Sequence, residues 1–240
     1  MSPLREASTW TVRFKEEIKI DPLRRYYLIF EGAHTELKYF EGLDDNRKFL
    51  GISSSIELVI LHKEGDIEHH SHPKHLLELI DKKKTQLKND GKYDKEIDRF
   101  VIVFDRDRHM TVTPEQFLEF VELASKENIL GLTNPCFELW LILHFENTFD
   151  EIILNNQREF LENIKVSNSH TYTSKVFSEI SGMNSKSNLD FEKLKNGVKI
   201  AIVQEMKLPQ KNGEIAHKIG SNIGVLIQEM KQDPRNQFIK

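Results

Sequence analysis

Four short runs of almost unbroken apolar character, at residues 26–30, 56–61, 100–104 and 129–133, most restrict what this chain can fold into. They are rich in β-branched and aromatic residues and lack the polar alternation of a half-exposed strand, so each reads as a strand buried on both faces. Such strands form parallel sheets, which need helices on both sides to exclude water. The intervening segments supply them. Leu37, Phe40 and Leu43, then Leu76, Leu77, Ile80 and Leu87, then Phe117, Phe120, Val121 and Ala124 recur at the three- and four-residue spacing of an amphipathic helix. Strand and helix alternating in this way predict an α/β fold: a three-layer sandwich around a mostly parallel four-stranded sheet, with right-handed crossovers.

Beyond Thr133 the pattern turns helical, at residues 135–145, 155–164, 174–181, 191–206 and 215–230, with Ser- and Asn-rich loops at 167–173 and 182–188. The expected organisation is an α/β core over residues 22–147 and a helical C-terminal extension over residues 148–240, packed on that core. Hydrophobic residues at 38% and charged residues at 30% suffice for a core under a solvated surface, which argues against wholesale disorder. The longest apolar run, 137–145, is about half of a membrane span and contains Glu138 and His144. Residues 1–21 are charged and lack the apolar stretch of a signal peptide. A single cysteine permits neither an internal disulfide nor a multi-cysteine zinc site. These features together predict a cytoplasmic protein with no membrane association. The net charge of -4 opposes coating of nucleic acid by bulk positive charge, so a polyanion must be recognised locally.

In an open parallel sheet, functional groups gather beyond the carboxyl ends of the strands. The first strand runs into Glu31 and Gly32, followed by Thr35, a candidate helix cap, and Glu36 in the first helical turn. The third strand runs into Asp105, Arg106 and Asp107. Strand periodicity points Asp105 and Asp107 one way and Arg106 the other. If the first and third strands are neighbours, Glu31, Asp105 and Asp107 converge, and like charges so close cannot all stay ionised without a cation between them. An all-oxygen set suits a hard ion, Mg²⁺ or Mn²⁺. Acidic residues also simply end strands in βα loops, and a lone Asp-x-Asp says little more than that.

The residues Phe30-Glu31-Gly32 with Thr35-Glu36, then Val103-Phe104-Asp105-Arg106-Asp107, resemble the TOPRIM domain shared by topoisomerases, primases and OLD-type nucleases. A narrower likeness lies in Asn134-Pro135-Cys136-Phe137-Glu138-Leu139-Trp140-Leu141, ending in His144-Phe145, which is similar to the RloB-like family of bacterial TOPRIM proteins. The resemblance runs from about Tyr26 through the C-terminal helices, to Ala201 and Gly220-Ser221-Asn222. It implies a metal-dependent phosphodiester hydrolase acting on DNA or RNA in antiphage defence, with an ATPase partner subunit. Under it Glu31, Glu36, Asp105 and Asp107 are the catalytic candidates, and Glu31, Asp105, Asp107 and Glu138 the metal ligands. The basic residue that grips the phosphate is open among Arg106, Arg108, Lys63 and Lys74. Two other readings stand beside this one: transesterification, which the few tyrosines disfavour, and a catalytically inactive binding subunit of an ATPase-containing complex. Homo-oligomerisation is left open.

Other residues carry plainer expectations. Glu138 sits among Phe137, Leu141 and Ile142, so its carboxylate needs a buried cation, backbone amides or the metal as partner. Asn134 before Pro135 reads as a helix N-cap with proline at the first position. Trp140 and His144 read as core or capping residues, and Cys136 as a small hydrophobe. The histidines at 69, 70, 72 and 75 read as a solvated loop leading into a helix. No phosphate-binding glycine loop is present, so the chain is not expected to hydrolyse ATP itself.

Overall fold

A computed structural model describes residues 22–32, 34–62, 73–106 and 113–232. The elements run β1 (Arg24–Phe30), α1 (Thr35–Asp45), α2 (Arg47–Leu50), β2 (Ile56–Ile60), α3 (Pro73–Asn89), β3 (Asp98–Asp105), α4 (Pro114–Ser125), β4 (Ile129–Asn134) and α5 (Glu138–Ile142). They continue with α6 (Gln157–Glu162), α7 (Tyr172–Ser181), α8 (Phe191–Leu194), α9 (Val198–Glu205), α10 (Asn212–Ile215), β5 (Gly220–Ser221) and α11 (Ile223–Lys231).

The four expected strands form in the expected places, and the sheet order is β2-β1-β3-β4-β5. β1 to β4 are parallel, as their apolar character requires. Alternation then sorts each strand between two cores. Tyr26, Leu28, Phe30, Val101 and Val103 join one cluster, with Tyr39, Phe40 and Leu43 of α1. Tyr27, Ile29, Phe100, Ile102 and Phe104 join the other, with Leu76 and Ile80 of α3 and Phe117 and Val121 of α4. The chain leaves β1 toward β2 on one side and returns to β3 on the other. That reversal makes the carboxyl ends of β1 and β3 the topological switch point, where crevices open in sheets of this kind.

The first core continues past residue 148. Phe160, Phe177, Phe191, Ala201, Leu226 and Ile227 belong to the same cluster as Trp140 and Leu139 of α5. Within it Tyr39 Oη lies 3.0 Å from His144 Nε2, and His144 Nδ1 lies 3.0 Å from the Trp140 carbonyl. The carbonyl can only accept, so Nδ1 carries the proton and Nε2 accepts from the tyrosine. Burial pushes His144 down to about 4, and the ring is neutral and structural.

Three details depart from the sequence-based expectation. The sheet has a fifth strand: Gly220 and Ser221 pair antiparallel with Asn134 and Thr133 and interrupt what reads as one helix over 215–230. The pairing is fixed by Asn222, whose Oδ1 accepts from Leu132 N at 2.6 Å and whose N donates back to the Leu132 carbonyl at 3.1 Å. The helix expected from residue 135 starts at Glu138 instead, and Asn134 is not its cap. Asn134 ends β4, precedes a cis peptide bond to Pro135, and donates from Nδ2 to the Ile215 carbonyl at 2.6 Å. The helix expected over 191–206 is divided into α8 and α9 by a 3-10 turn at Lys195–Gly197. There a Cβ on Gly197 would run into the backbone of His144.

A buried acid unforeseen in the sequence ties these C-terminal elements together. Glu205 is fully enclosed and accepts from Ser221 Oγ, Gly224 N (2.9 Å), Val225 N (3.2 Å) and Gln210 Nε2 (3.3 Å). It thus serves the orphan amides at the start of α11 from a distant helix. Burial raises its carboxyl above the ordinary range, and the hydrogen bonds oppose that rise. Glu205→Ala leaves buried donors without acceptors and is expected to lower unfolding free energy by about 3 kcal/mol, with Glu205→Gln losing about half as much. Urea melts measure this, and wild-type midpoints for both variants would contradict the assignment.

Candidate functional site

The switch point is lined with acids. β1 and β3 pair in register from Arg25↔Asp98 to Phe30↔Val103, so Glu31 leaves the sheet beside Phe104, one residue short of Asp105. The pairing continues past the last strand residue of β1, since Glu31 N donates to the Val103 carbonyl at 2.9 Å. The Glu31 side chain turns toward β3, where Oε2 accepts from Asp105 N at 3.0 Å. Asp105 lies on the α1 side of the sheet, and its Oδ1 accepts a short hydrogen bond from Thr133 Oγ1 on β4.

Two further carboxylates approach from helices. Glu36 stands in the first turn of α1, is buried, and folds back over Gly32 so closely that any Cβ at Gly32 would meet its carboxylate. Glu138 opens α5, directly after the turn from β4, and is also buried. Burial, then the negative charges of Glu36 and Glu31, and more weakly Glu138, push the Asp105 carboxyl well above the usual carboxylate range, with Thr133 acting in the opposite direction. Glu31, Glu36, Asp105 and Glu138 are thus brought together. Asp107, the remaining sequence candidate, lies outside the described residues, as do Lys63, Arg108 and the histidines at 69, 70 and 72.

The expected partners of Glu138 were a cation, backbone amides or metal. Its observed partner is a hydroxyl: Ser185 Oγ donates to Glu138 Oε1 at 2.6 Å. The Ser185 carbonyl in turn accepts from Thr35 Oγ1 at 3.2 Å, so Thr35 anchors the 182–188 loop and does not cap α1. This loop closes one side of a pocket of about 360 Å³ whose walls include Glu36, Asp105, Glu138, Asn163 and Lys186. Lys186 is exposed at the rim. Arg106 takes no part: it is buried on the opposite side of the sheet with its guanidinium 4.7 Å from the centre of the Phe117 ring. Cys136 reaches the pocket wall, but burial and the charges of Glu138 and Asp105 raise its thiol well above the ordinary range, so it stays protonated.

Sequence reading missed Thr133, Asn163, Ser185 and Lys186. Thr133 carried a usable signal, as the strand-end residue beside Asp105 on the neighbouring strand. The others lie in loops or loop edges far along the chain, with nothing local to mark them. Among the described residues no three His, Cys, Asp or Glu side chains form a ready-made metal site. The chemistry of the donor set nevertheless suits a hard divalent ion: it is all oxygen, and its central member is destabilised when ionised by neighbours of its own sign. Among the described residues no helix is long and apolar enough to cross a membrane.

A carboxyl whose folded-state pKa is raised holds its proton more tightly folded than unfolded. Its contribution favours the fold below the ordinary carboxylate range and is lost as pH rises through the raised value. Asp105→Asn removes that loss while leaving Thr133 an acceptor. The melting temperature of the metal-free wild type is therefore expected to fall progressively relative to Asp105→Asn as pH rises above about 4, the ordinary aspartate value. A constant difference above that value would contradict the shift.

Comparison with known proteins shows that the model of the RloB-like protein family matches residues 26–230. No curated protein and no solved structure matches the chain.

Proposed function

Since the chain belongs to the RloB-like protein family, we propose that its acidic pocket is the centre of a Mg²⁺- or Mn²⁺-dependent TOPRIM-type nuclease that cleaves phosphodiester bonds of DNA or RNA in bacterial antiphage defence. One observation carries the reading: four carboxylates from β1, α1, β3 and α5 meet at the switch point, and Asp105 among them is pushed well up by burial and its like-charged neighbours. Such a cluster gains most from a cation. Asp105, Glu31 and Glu138 would hold it, with Asp107 as a further ligand candidate. The ion, when bound, supplies neutralisation of phosphoryl charge and a more acidic water.

The chain's own residues account for the rest. Asp105 would serve beside such an ion as a carboxylate, and the Thr133 hydroxyl keeps it oriented. Asp105 N–H fixes one oxygen of Glu31 and so orients its carboxylate. Ser185 fixes Glu138 in the same way. Glu36, packed against Gly32, stands nearest the start of α1 as general acid or base. Lys186 at the rim is a basic group that could meet a substrate phosphate.

A second reading has its own support. Three of the four carboxylates already accept hydrogen bonds, from Thr133, Ser185 and the Asp105 amide, which suits an inactive TOPRIM-like subunit whose C-terminal helices dock an ATPase partner. Plasmid DNA and structured RNA incubated with Mg²⁺ or Mn²⁺, with and without chelator, separate the two. The nuclease reading expects metal-dependent cleavage that Glu138→Gln slows by about 10–100-fold and Asp105→Asn by at least as much, with both variants folded. Absence of cleavage with either ion, alone and with the ATPase bound, would overturn it.

A further inference from the structure

A second concavity, of about 500 Å³, lies among the C-terminal elements and shares no lining residue with the acidic pocket. Its size falls in the roughly 300–1,000 Å³ range of small-molecule sites. Phe149, Ile153, Leu161, Leu208 and Ile219 give it an apolar lining. Two of these come from a π-helical turn at Phe149–Ile153. That form is rare and concentrates at functional sites.

The turn is firmly held. Gln204 donates from Nε2 to the Leu143 and Phe145 carbonyls, both at 2.7 Å, and accepts at Oε1 from Phe149 N at 2.8 Å. The wall is thus set before any ligand arrives, which lowers the entropic cost of binding. Leu154, at the edge, is 48% exposed.

The rim is cationic. Arg158 is matched by Glu162 at 2.8 Å, and Lys207 by Asp150, with Lys207 Nζ also 5.3 Å from the centre of the Phe149 ring. Lys218 lines the same hollow and makes no ion pair among the described residues. An apolar lining beside uncompensated positive charge fits a molecule with an apolar body and one anionic group. We propose that this concavity is a binding site for a small anionic ligand of aromatic size, its body seated against Phe149, Ile153 and Leu161 and its charge at Lys218. The site is independent of the acidic pocket and of any nuclease activity there.

Calorimetric titration of the full chain with naphthalene-1-sulfonate and with its cationic counterpart, 1-naphthylmethylammonium, tests this. The expected result is one saturable sulfonate site per chain, with the ammonium at least about tenfold weaker. Lys218→Glu is expected to weaken the sulfonate by about tenfold and to remove the preference between the two probes. Leu154→Ser, a neutral change at a half-exposed position, is expected to weaken both probes. Absence of saturable sulfonate binding to the wild type would overturn the proposal, as would binding that neither variant alters once melting curves show both to be folded.

Discussion

Six successive residue pairs between β1 and β3 set the height at which the two strands end, and the chemistry of the pocket depends on that register. A slip by one residue would send Asp105 to the α3 and α4 face and bring Arg106 in its place, because strand side chains alternate. What prevents the slip is apolar burial on both faces. Leu28, Val101 and Val103 are committed to one core and Ile29, Ile102 and Phe104 to the other, so a shifted register would exchange the partners of every one of them. Charge repulsion among Glu31, Glu36, Asp105 and Glu138 is thereby sustained by hydrophobic packing elsewhere in the sheet. Clustered acids at the end of a rigid core are a common arrangement at functional sites, where local stability is exchanged for chemistry.

The C-terminal elements are part of this arrangement. Ser185 and Lys186 reach the pocket from a loop between α7 and α8, and Ser185 contacts both Thr35 and Glu138. β5 extends the sheet beside Thr133, the residue that holds Asp105. Glu205 fastens α9 to the start of α11. The chain beyond residue 148 therefore supplies side chains to the pocket as well as apolar cover.

The four parallel strands, their helices and two of the converging acids, Glu31 and Asp105, were legible because each depends on local pattern: apolar runs, helical spacing, and acids at strand exits. Glu138 was legible as a buried charge in need of a partner, but the partner was not, since a hydroxyl 47 residues away leaves no mark near Glu138. Lys186 was hidden by the same kind of separation. β5 escaped notice because two residues are too few to show a period, and their pairing comes from Asn222 bonding to Leu132. Asn134 misled because an asparagine before proline suits a helix start equally well, whereas here its amide is taken by the Ile215 carbonyl. Arg106 was read correctly in direction, away from Asp105, and its stacking on Phe117 explains why it cannot serve the pocket.

The central claim is that the carboxylates at the ends of β1 and β3 form a cation site. Anomalous diffraction from crystals of the protein soaked in Mn²⁺ tests it most directly, since it locates the ion without reference to any substrate. The account predicts a strong anomalous peak between Asp105 and Glu31, within coordination distance of Glu138 or Asp107, that disappears in Asp105→Asn. No peak at that position in well-ordered, Mn²⁺-saturated crystals, or an undiminished peak in the variant, would contradict it.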